Sequence, residues 1–274
     1  MKFDVQVIKS EMGDNYFYLL SDGLGHLGLI DPIDSRKAIE TIHQMDGELV
    51  SLINTHFHPD HVGGNQQVKE AFPDAVLYGP FDEEEEINSQ FPQGPHLEIG
   101  IKGGDRIEIG SLSFDVLDTP GHTAGHISLR YGHHLFSGDV IFVAGAGNCR
   151  FGGDPGILFR TFRDVLANLS DDTIFYPGHD YSLRNAEFVL SILSEENEAK
   201  QVLEEAKEAG ARNELMLSTL GREKKYNLFF RFGDENLQKA LIKDYPGQWT
   251  ESLSLSESIE EATFRTVRAL RNSW

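Results

Sequence analysis

The chain has 274 residues, 39% of them hydrophobic and 25% charged, with 24 basic against 44 acidic side chains and a net charge of −20. Its size suits one large domain or one domain with an appendage, and its charge opposes nonspecific binding to a phosphate backbone, so no nucleic-acid partner is expected. No window is apolar enough to span a bilayer, the start Met1-Lys2-Phe3-Asp4 reads as neither signal nor transit peptide, and the single Cys149 excludes an internal disulfide. A cytoplasmic enzyme without a membrane partner is the expectation.

Phe3 to Lys9 and Tyr16 to Leu20 read as strands joined by the turn Met12-Gly13-Asp14-Asn15, and Leu27 to Ile30 as a third. Asp34 suits the cap of a helix whose Ala38, Ile39, Ile42 and Met45 recur at helical spacing. The apolar run Leu49-Val50-Ser51-Leu52-Ile53 then reads as a buried strand opening into Asn54-Thr55-His56-Phe57-His58-Pro59-Asp60-His61. Three imidazoles and a carboxylate within six residues form a donor set that divalent zinc, manganese and iron accept. Gly63-Gly64-Asn65 turns the chain into a short helix carrying Val68, Ala71 and Phe72, which Pro73 stops, and Ala75 to Tyr78 reads as a strand. The run Asp82-Glu83-Glu84-Glu85-Glu86 reads as a solvated loop or helix face and is given no chemistry.

From Arg106 the period falls to two. Ile107 and Ile109, then Leu112, Phe114 and Val116, alternate with polar partners about a Gly110-Ser111 hairpin turn. Ile127, Leu129 and Tyr131 alternate again, and Leu135-Phe136 follow the Gly132 turn. Asp154-Pro155 starts a helix whose Leu158, Phe162, Val165, Leu166 and Leu169 share a face, and Thr173 to Tyr176 is a last strand. Beyond Tyr181 the pattern is helical. Ala186, Val189, Leu190 and Leu193 keep that spacing, as do Ala199, Val202, Leu203 and Ala206. A boundary near Ser182 therefore divides a mixed domain (1–182) from a helical carboxyl-terminal segment (183–274).

Three further ligand candidates follow separate apolar strands: His122 in Thr119-Pro120-Gly121-His122, Asp139 in Ser137-Gly138-Asp139, and His179 in Pro177-Gly178-His179-Asp180-Tyr181. Small flanking residues let the backbone turn sharply there. Five imidazoles and two carboxylates are one donor more than two three-ligand sets require, and the extra one can bridge. His126 suits a structural role or a hydrogen bond to a ligand rather than ligation.

Thr55-His56-x-His58-x-Asp60-His61, followed by His122, Asp139 and His179 in these contexts, resembles the metallo-β-lactamase superfamily over about residues 50 to 181. The resemblance implies an α/β fold, the αββα sandwich, here with a helical carboxyl-terminal extension. It also implies a binuclear site at the sandwich edge. His56, His58 and His122 would hold one metal, Asp60, His61 and His179 the other, and Asp139 would bridge them. Two divalent ions are expected, zinc first, with iron or manganese also suited. Asp60 and Asp139 would be the catalytic carboxylates, Asp60 also orienting a shared hydroxide that attacks the substrate carbonyl.

The stretch Ser218-Thr219-Leu220-Gly221-Arg222-Glu223-Lys224-Lys225-Tyr226-Asn227-Leu228-Phe229-Phe230-Arg231 is similar to the carboxyl-terminal signature of hydroxyacylglutathione hydrolases. So are Gly178-His179-Asp180-Tyr181 and Phe142-Val143-Ala144-Gly145. This implies a small-molecule thioester substrate, glutathione-derived, with Tyr181 and Arg231 corresponding to residues that contact glutathione. Without the resemblance, Arg231 between aromatics reads equally as a cation-π or ion-pair residue. The chain departs from the family where a basic and then an aromatic residue usually follow Gly-x-Gly: Asn148, Cys149 and Arg150 stand there, and Arg150 is expected to supply the missing cation. Asp234 replaces a lysine often found three residues after the arginine. The alternative within the same fold is an iron-dependent persulfide dioxygenase using His56, His122 and Asp139.

Overall fold

Alternating and continuous apolar runs build two sheets in this computed structural model, which describes residues 3–274. The first sheet runs in sequence order through β1 (Asp4–Lys9), β2 (Tyr16–Ser21), β3 (His26–Ile30), β4 (Glu48–Ile53), β5 (Val76–Pro80) and β6 (Ile99–Ile101). β1 to β3 pair antiparallel, whereas β3 to β6 are parallel. Parallel strands need crossovers. They are supplied by α1 (Ser35–Gln44) between β3 and β4, and by α2 (Pro59–Val62) and α3 (Asn65–Ala71) between β4 and β5. A further crossover segment, α4 (Glu84–Ser89), precedes β6. The parallel arrangement brings the ends of β3 and β4 side by side, Ile30 opposite Ile53.

A second, antiparallel sheet follows from β7 (Arg106–Ile109), β8 (Leu112–Asp118), β9 (Ile127–Tyr131) and β10 (His134–Gly138). The two sheets pack face to face: the Tyr18 ring lies 5.5 Å from both Phe136 and Tyr176. Gly28 permits the closest approach, since a Cβ there would lie 2.4 Å from Ile109 Cδ1. On the other face of the first sheet, Leu29, Leu52, Ala38, Ile42 and Val68 are buried together with α1 and α3. Each such large apolar side chain contributes about 1.5–3 kcal/mol when fully buried.

Two compact units result. One gathers the chain through Thr119 with Ala124–Gly138 and Tyr176–His179; the other gathers Pro120–Thr123, Asp139–Phe175 and Asp180–Trp274. Two stretches that precede Ser182 thus group with the helical segment rather than with the sheets. The second unit holds β11 (Ile141–Phe142), β12 (Gly145–Ala146), α5 (Pro155–Arg160), the first half of β13 (Ile174–Pro177), α6 (Ser182–Ile192) and α7 (Asn197–Arg212). It continues with β14 (Ser218–Thr219), α8 (Leu220–Tyr226), α9 (Glu235–Asp244), α10 (Pro246–Ser254) and α11 (Ile259–Ser273).

Local differences from the sequence reading have physical causes. The helix from Pro155 widens into a π turn at Thr161–Val165 and tightens at Leu166–Asn168, which keeps Leu158, Phe162 and Leu166 buried. Beyond Tyr181 the chain is not wholly helical, because Ser218 and Thr219 pair with Phe175 and Ile174. Phe264 of α11 meets Phe159, Phe162 and Phe229 at 5.1–5.7 Å, one aromatic cluster in this unit. Among the described residues, no helix is long and apolar enough to cross a membrane.

Candidate metal centre

In the first unit, the loop after β4 is fixed before any histidine is placed. Asn54 and Asn65 pair their side-chain amides reciprocally, which ties the loop's start to the start of α3. Asp31, at the end of β3 with φ of 53°, accepts from Thr55 N–H at 2.8 Å and Thr55 Oγ1 at 2.6 Å. Its Oδ2 also lies 3.0 Å from His61 Nδ1. Pro59 is the first residue of α2, with His58 extended before it, so one helical turn presents Asp60 and His61.

The acidic run expected to be solvated is only partly so. Glu83 is 2% exposed, and its carboxylate accepts from Phe57 N–H and Gly125 N–H, both at 2.8 Å. It therefore holds the backbone between His56 and His58.

The histidines share one pattern. His56 Nδ1 lies 3.0 Å from Thr55 Oγ1, and its Nε2 3.1 Å from His58 Nδ1. His61 has Nδ1 on Asp31 and Nε2 4.0 Å from Asp60 Oδ2. His179 has Nδ1 3.1 Å from Asp14 Oδ1 and Nε2 3.2 Å from Asp60 Oδ2. In the second unit, His122 Nδ1 is 2.6 Å from Asn148 O, with Nε2 3.6 Å from Asp139 Oδ2. In each of the four, one ring nitrogen is oriented by a neighbouring oxygen while the other faces another ligand candidate. Metal-binding imidazoles are held in this way. Donor atoms of Asp60, His61 and His179 lie within 4.8 Å of one another, as do those of Asp31, His56 and His61. The donor set thus fits a divalent cation, Asp60-His61-His179 most directly. Asp31 reads as the orienting carboxylate, because two hydrogen bonds from Thr55 already occupy it. His126 is buried with Nδ1 2.9 Å from Thr119 Oγ1, its ring 5.1 Å from that of His56, which suits packing behind the ligand.

Asp139 opens a second feature of the second unit. It lines a cleft of about 340 Å³ together with Tyr181, Arg150, Arg184, Arg268 and Arg271. The loop from Val143 to Gly147 forms part of this cleft's frame, and buried side chains take up its backbone groups. Glu223 accepts from Ala144 N–H, Asn185 donates to Val143 O, and Asn227 donates to Gly145 O. Arg268 donates to Ala146 O and Gly147 O. Gly147 must be glycine, since a Cβ would lie 2.0 Å from Asp139 O. Burial pushes the Arg268 guanidinium down to about 9, with repulsion from Arg271 and Arg150 acting the same way. Arg271 is lowered by burial and by Arg184. Burial likewise pushes the Cys149 thiol up to about 12, so it is a protonated packing residue at neutral pH.

Of the expected substrate contacts, Tyr181 and Arg150 line this cleft and Arg231 does not. Arg231 is held by Glu196 and Asp234 instead, and Asp234 also caps α9. Sequence reasoning missed Arg184, Arg268 and Arg271. Arg268 and Arg271 are three apart on α11, a spacing that puts both on one helical face. It also missed Asp14, Asn15, Asp31 and Glu83, whose roles depend on pairing between distant strands.

Residues 14–179 match the family model of the metallo-β-lactamase superfamily, and residues 180–274 match that of the hydroxyacylglutathione hydrolase carboxyl terminus. The hydroxyacylglutathione hydrolase of Nitrosococcus oceani is 34% identical over 266 residues, covering 95% of each chain. That of a Polaromonas species is 35% identical over 269 residues, again covering 95% of each. Among solved structures, ETHE1 from Myxococcus xanthus aligns with a TM-score of 0.63 at 23% identity, covering all of this chain and 99% of that one. The BLEG-1 B3 metallo-β-lactamase aligns with a TM-score of 0.62 at 22% identity, over 84% of this chain and 99% of its own. These likenesses establish the metallo-β-lactamase fold, a mixed α/β architecture with a helical carboxyl-terminal region. With identity of a third running along nearly the whole length and both family models matched end to end, the chain belongs to the hydroxyacylglutathione hydrolases of the metallo-β-lactamase superfamily.

Proposed function

We propose that this chain is a metal-dependent thioester hydrolase that works with two divalent cations, zinc foremost. In this reading His56, His58 and His122 serve one cation, Asp60, His61 and His179 the other, and Asp139 both. The observation that carries it is the shared histidine pattern: each anchored imidazole turns its second nitrogen toward another ligand candidate. Nitrogen and oxygen donors without thiolate suit zinc, iron or manganese. When bound, such cations lower the pKa of water and polarise the carbonyl oxygen of the substrate.

The chain's own groups do the rest. Asp60 offers a half-buried carboxylate oxygen, kept in place by Asn15 Nδ2 at 3.2 Å, to orient the attacking water. Tyr181, packed edge-on to Phe142 with ring centroids 5.1 Å apart, and the cleft arginines receive the thiol half of the substrate. Glutathione is the thiol named for the relatives. Arg231, bound by two carboxylates, is left a structural role.

His58→Ala and Asp139→Ala are each expected to lose bound metal and lactoylglutathione hydrolysis together, read by elemental analysis and thiol release. Full hydrolysis by either metal-free variant contradicts the reading. The dioxygenase reading is the lesser one, because the carboxyl-terminal match over residues 180–274 favours the hydrolase. Oxygen consumption with glutathione persulfide would reverse that order.

A further inference from the structure

The three donors Asp60, His61 and His179 of the first unit are unequally held. The side chains of His61 and His179 are 1% and 6% exposed, whereas that of Asp60 is 46% exposed. Each imidazole is fixed through Nδ1, His61 by Asp31 and His179 by Asp14. Asp60 stands next to Pro59 in a single helical turn, with its Oδ2 3.2 Å from His179 Nε2. A half-exposed carboxylate without a further restraint would give up rotamer freedom whenever a cation bound.

Asn15 supplies the restraint. Its side chain is buried, and its Nδ2 lies 3.0 Å from Asp60 O, 3.2 Å from Asp60 Oδ2 and 3.3 Å from His179 Nε2. Among the described residues, the hydrogen bonds of this side chain go to Asp60 and His179 alone. The direction of the amide follows from the groups it meets. Asp60 offers two oxygens, and His179 Nε2 offers a lone pair because Nδ1 carries the hydrogen toward Asp14. Three converging acceptors attract the amide N–H groups and repel Oδ1. Asn15 is therefore a donor to two candidate ligands and not itself a ligand.

The backbone sets this amide in place without help from the ligands' side chains. Asn15 forms an antiparallel bridge with His179, Ser10 N–H donates to Asn15 O at 2.9 Å, and Tyr16 N–H donates to Gly178 O at 2.7 Å. The turn before it is tied to α1, since Glu11 N–H donates at 3.0 Å to Asp34, the cap of that helix. Truncating the Asn15 side chain leaves all of these bonds intact.

We propose that Asn15 is the positioning residue for one cation of the pair, the one served by Asp60, His61 and His179, and sets how tightly that cation alone is held. This role rests on the two-cation hydrolase reading and deepens it. A residue at the entry to β2, 45 positions before Asp60, governs one half of the centre and leaves the half built on His56 and His58 unaffected. Removing a hydrogen-bonding partner behind metal ligands costs roughly 10–100-fold in affinity.

Zinc titration of the metal-free full chain, followed by NMR of the histidine ring nitrogens, observes the two halves separately. Free zinc is set with a chelator buffer, and the signals are assigned by single histidine substitutions. In Asn15→Ala, His61 and His179 are expected to respond only at about tenfold or higher free zinc, while His56 and His58 shift by less than about threefold. The unfolding temperature of the metal-free protein stays within a few degrees of the parent's. Asn15→Ser, whose hydroxyl is too short to span Asp60 and His179, is expected to behave in the same way. Unchanged affinity at all four histidines in both variants overturns the proposal. So does an equal loss at all four, the mark of a purely structural role. A parent in which His61 and His179 never respond overturns both this role and the two-cation reading. Thiol release from lactoylglutathione is followed in parallel: zinc binding that divides as expected, with no hydrolysis by the parent, defeats the hydrolase reading and leaves the role of Asn15 standing.

Discussion

Asp31 carries more of the candidate centre than its position in the sequence suggests. One carboxylate receives two hydrogen bonds from Thr55 and orients His61 through Nδ1. Removing a carboxylate that orients a ligating histidine costs roughly 10–100-fold in metal affinity. Asp31→Ala is therefore expected to weaken zinc retention by that order against a competing chelator, while His26→Ala, at a half-exposed histidine outside the cluster, changes nothing. Equal zinc affinity in Asp31→Ala and the parent would remove Asp31 from the centre. The ligand candidates themselves are legible in sequence because histidine and aspartate at strand ends are chemically conspicuous. Asp31 is not: Ile30-Asp31-Pro32 looks like any strand exit, and only the parallel pairing of β3 with β4 brings it to Thr55. Glu83 is hidden for the opposite reason, inside an acidic run whose other members are exposed or half-buried.

At the level of elements, the clearest device is the clamp on the loop between Val143 and Gly147. Glu223 accepts simultaneously from Ala144 N–H, Tyr226 OH and Asn227 Nδ2, and its burial raises its own pKa. Glu223→Ala leaves three buried donors to find new partners, at about 1–3 kcal/mol each when they find none. A loss of at least about 2 kcal/mol in denaturant unfolding is expected; a loss below about 0.5 kcal/mol would mean that the clamp is not tight.

A second tether lies in the first unit. Asp22 holds the β2–β3 turn to Ser111 in the β7–β8 turn. Burial alone would raise its pKa, but hydrogen bonds from Leu24, His26 and Ser111 outweigh it and hold the carboxyl well below the usual range. Such a group stabilises the fold fully above its unfolded pKa of about 3.9 and loses that contribution as pH falls. Asp22→Asn should therefore be less stable than the parent by about 1–3 kcal/mol at pH 7, with the gap narrowing below about pH 4. A gap independent of pH would contradict the assignment. The Gly110-Ser111 turn is legible from period-two alternation, whereas its anchor 89 residues earlier is not.

For the whole molecule, the amino-terminal sheets and the helical tail are both visible in hydrophobic periodicity, and the motif spacing announces the superfamily. Sequence does not reveal that Pro120–Thr123 and Asp139–Phe175 group with the helices, nor that α11 at the far end supplies two arginines to the cleft containing Asp139. The second follows from packing over more than 100 residues of separation. Arg231, which the resemblance casts as a glutathione contact and its aromatic flanks equally as an ion-pair residue, is paired with Glu196 from the start of α7 and Asp234 from the start of α9.

Metal titration of metal-free protein, followed by lactoylglutathione hydrolysis, tests the proposed centre most directly. Two equivalents of divalent cation are expected to bind, with full activity reached only as the second is added. Activity that is complete without metal, or saturates at one equivalent, contradicts a hydrolase built on two cations.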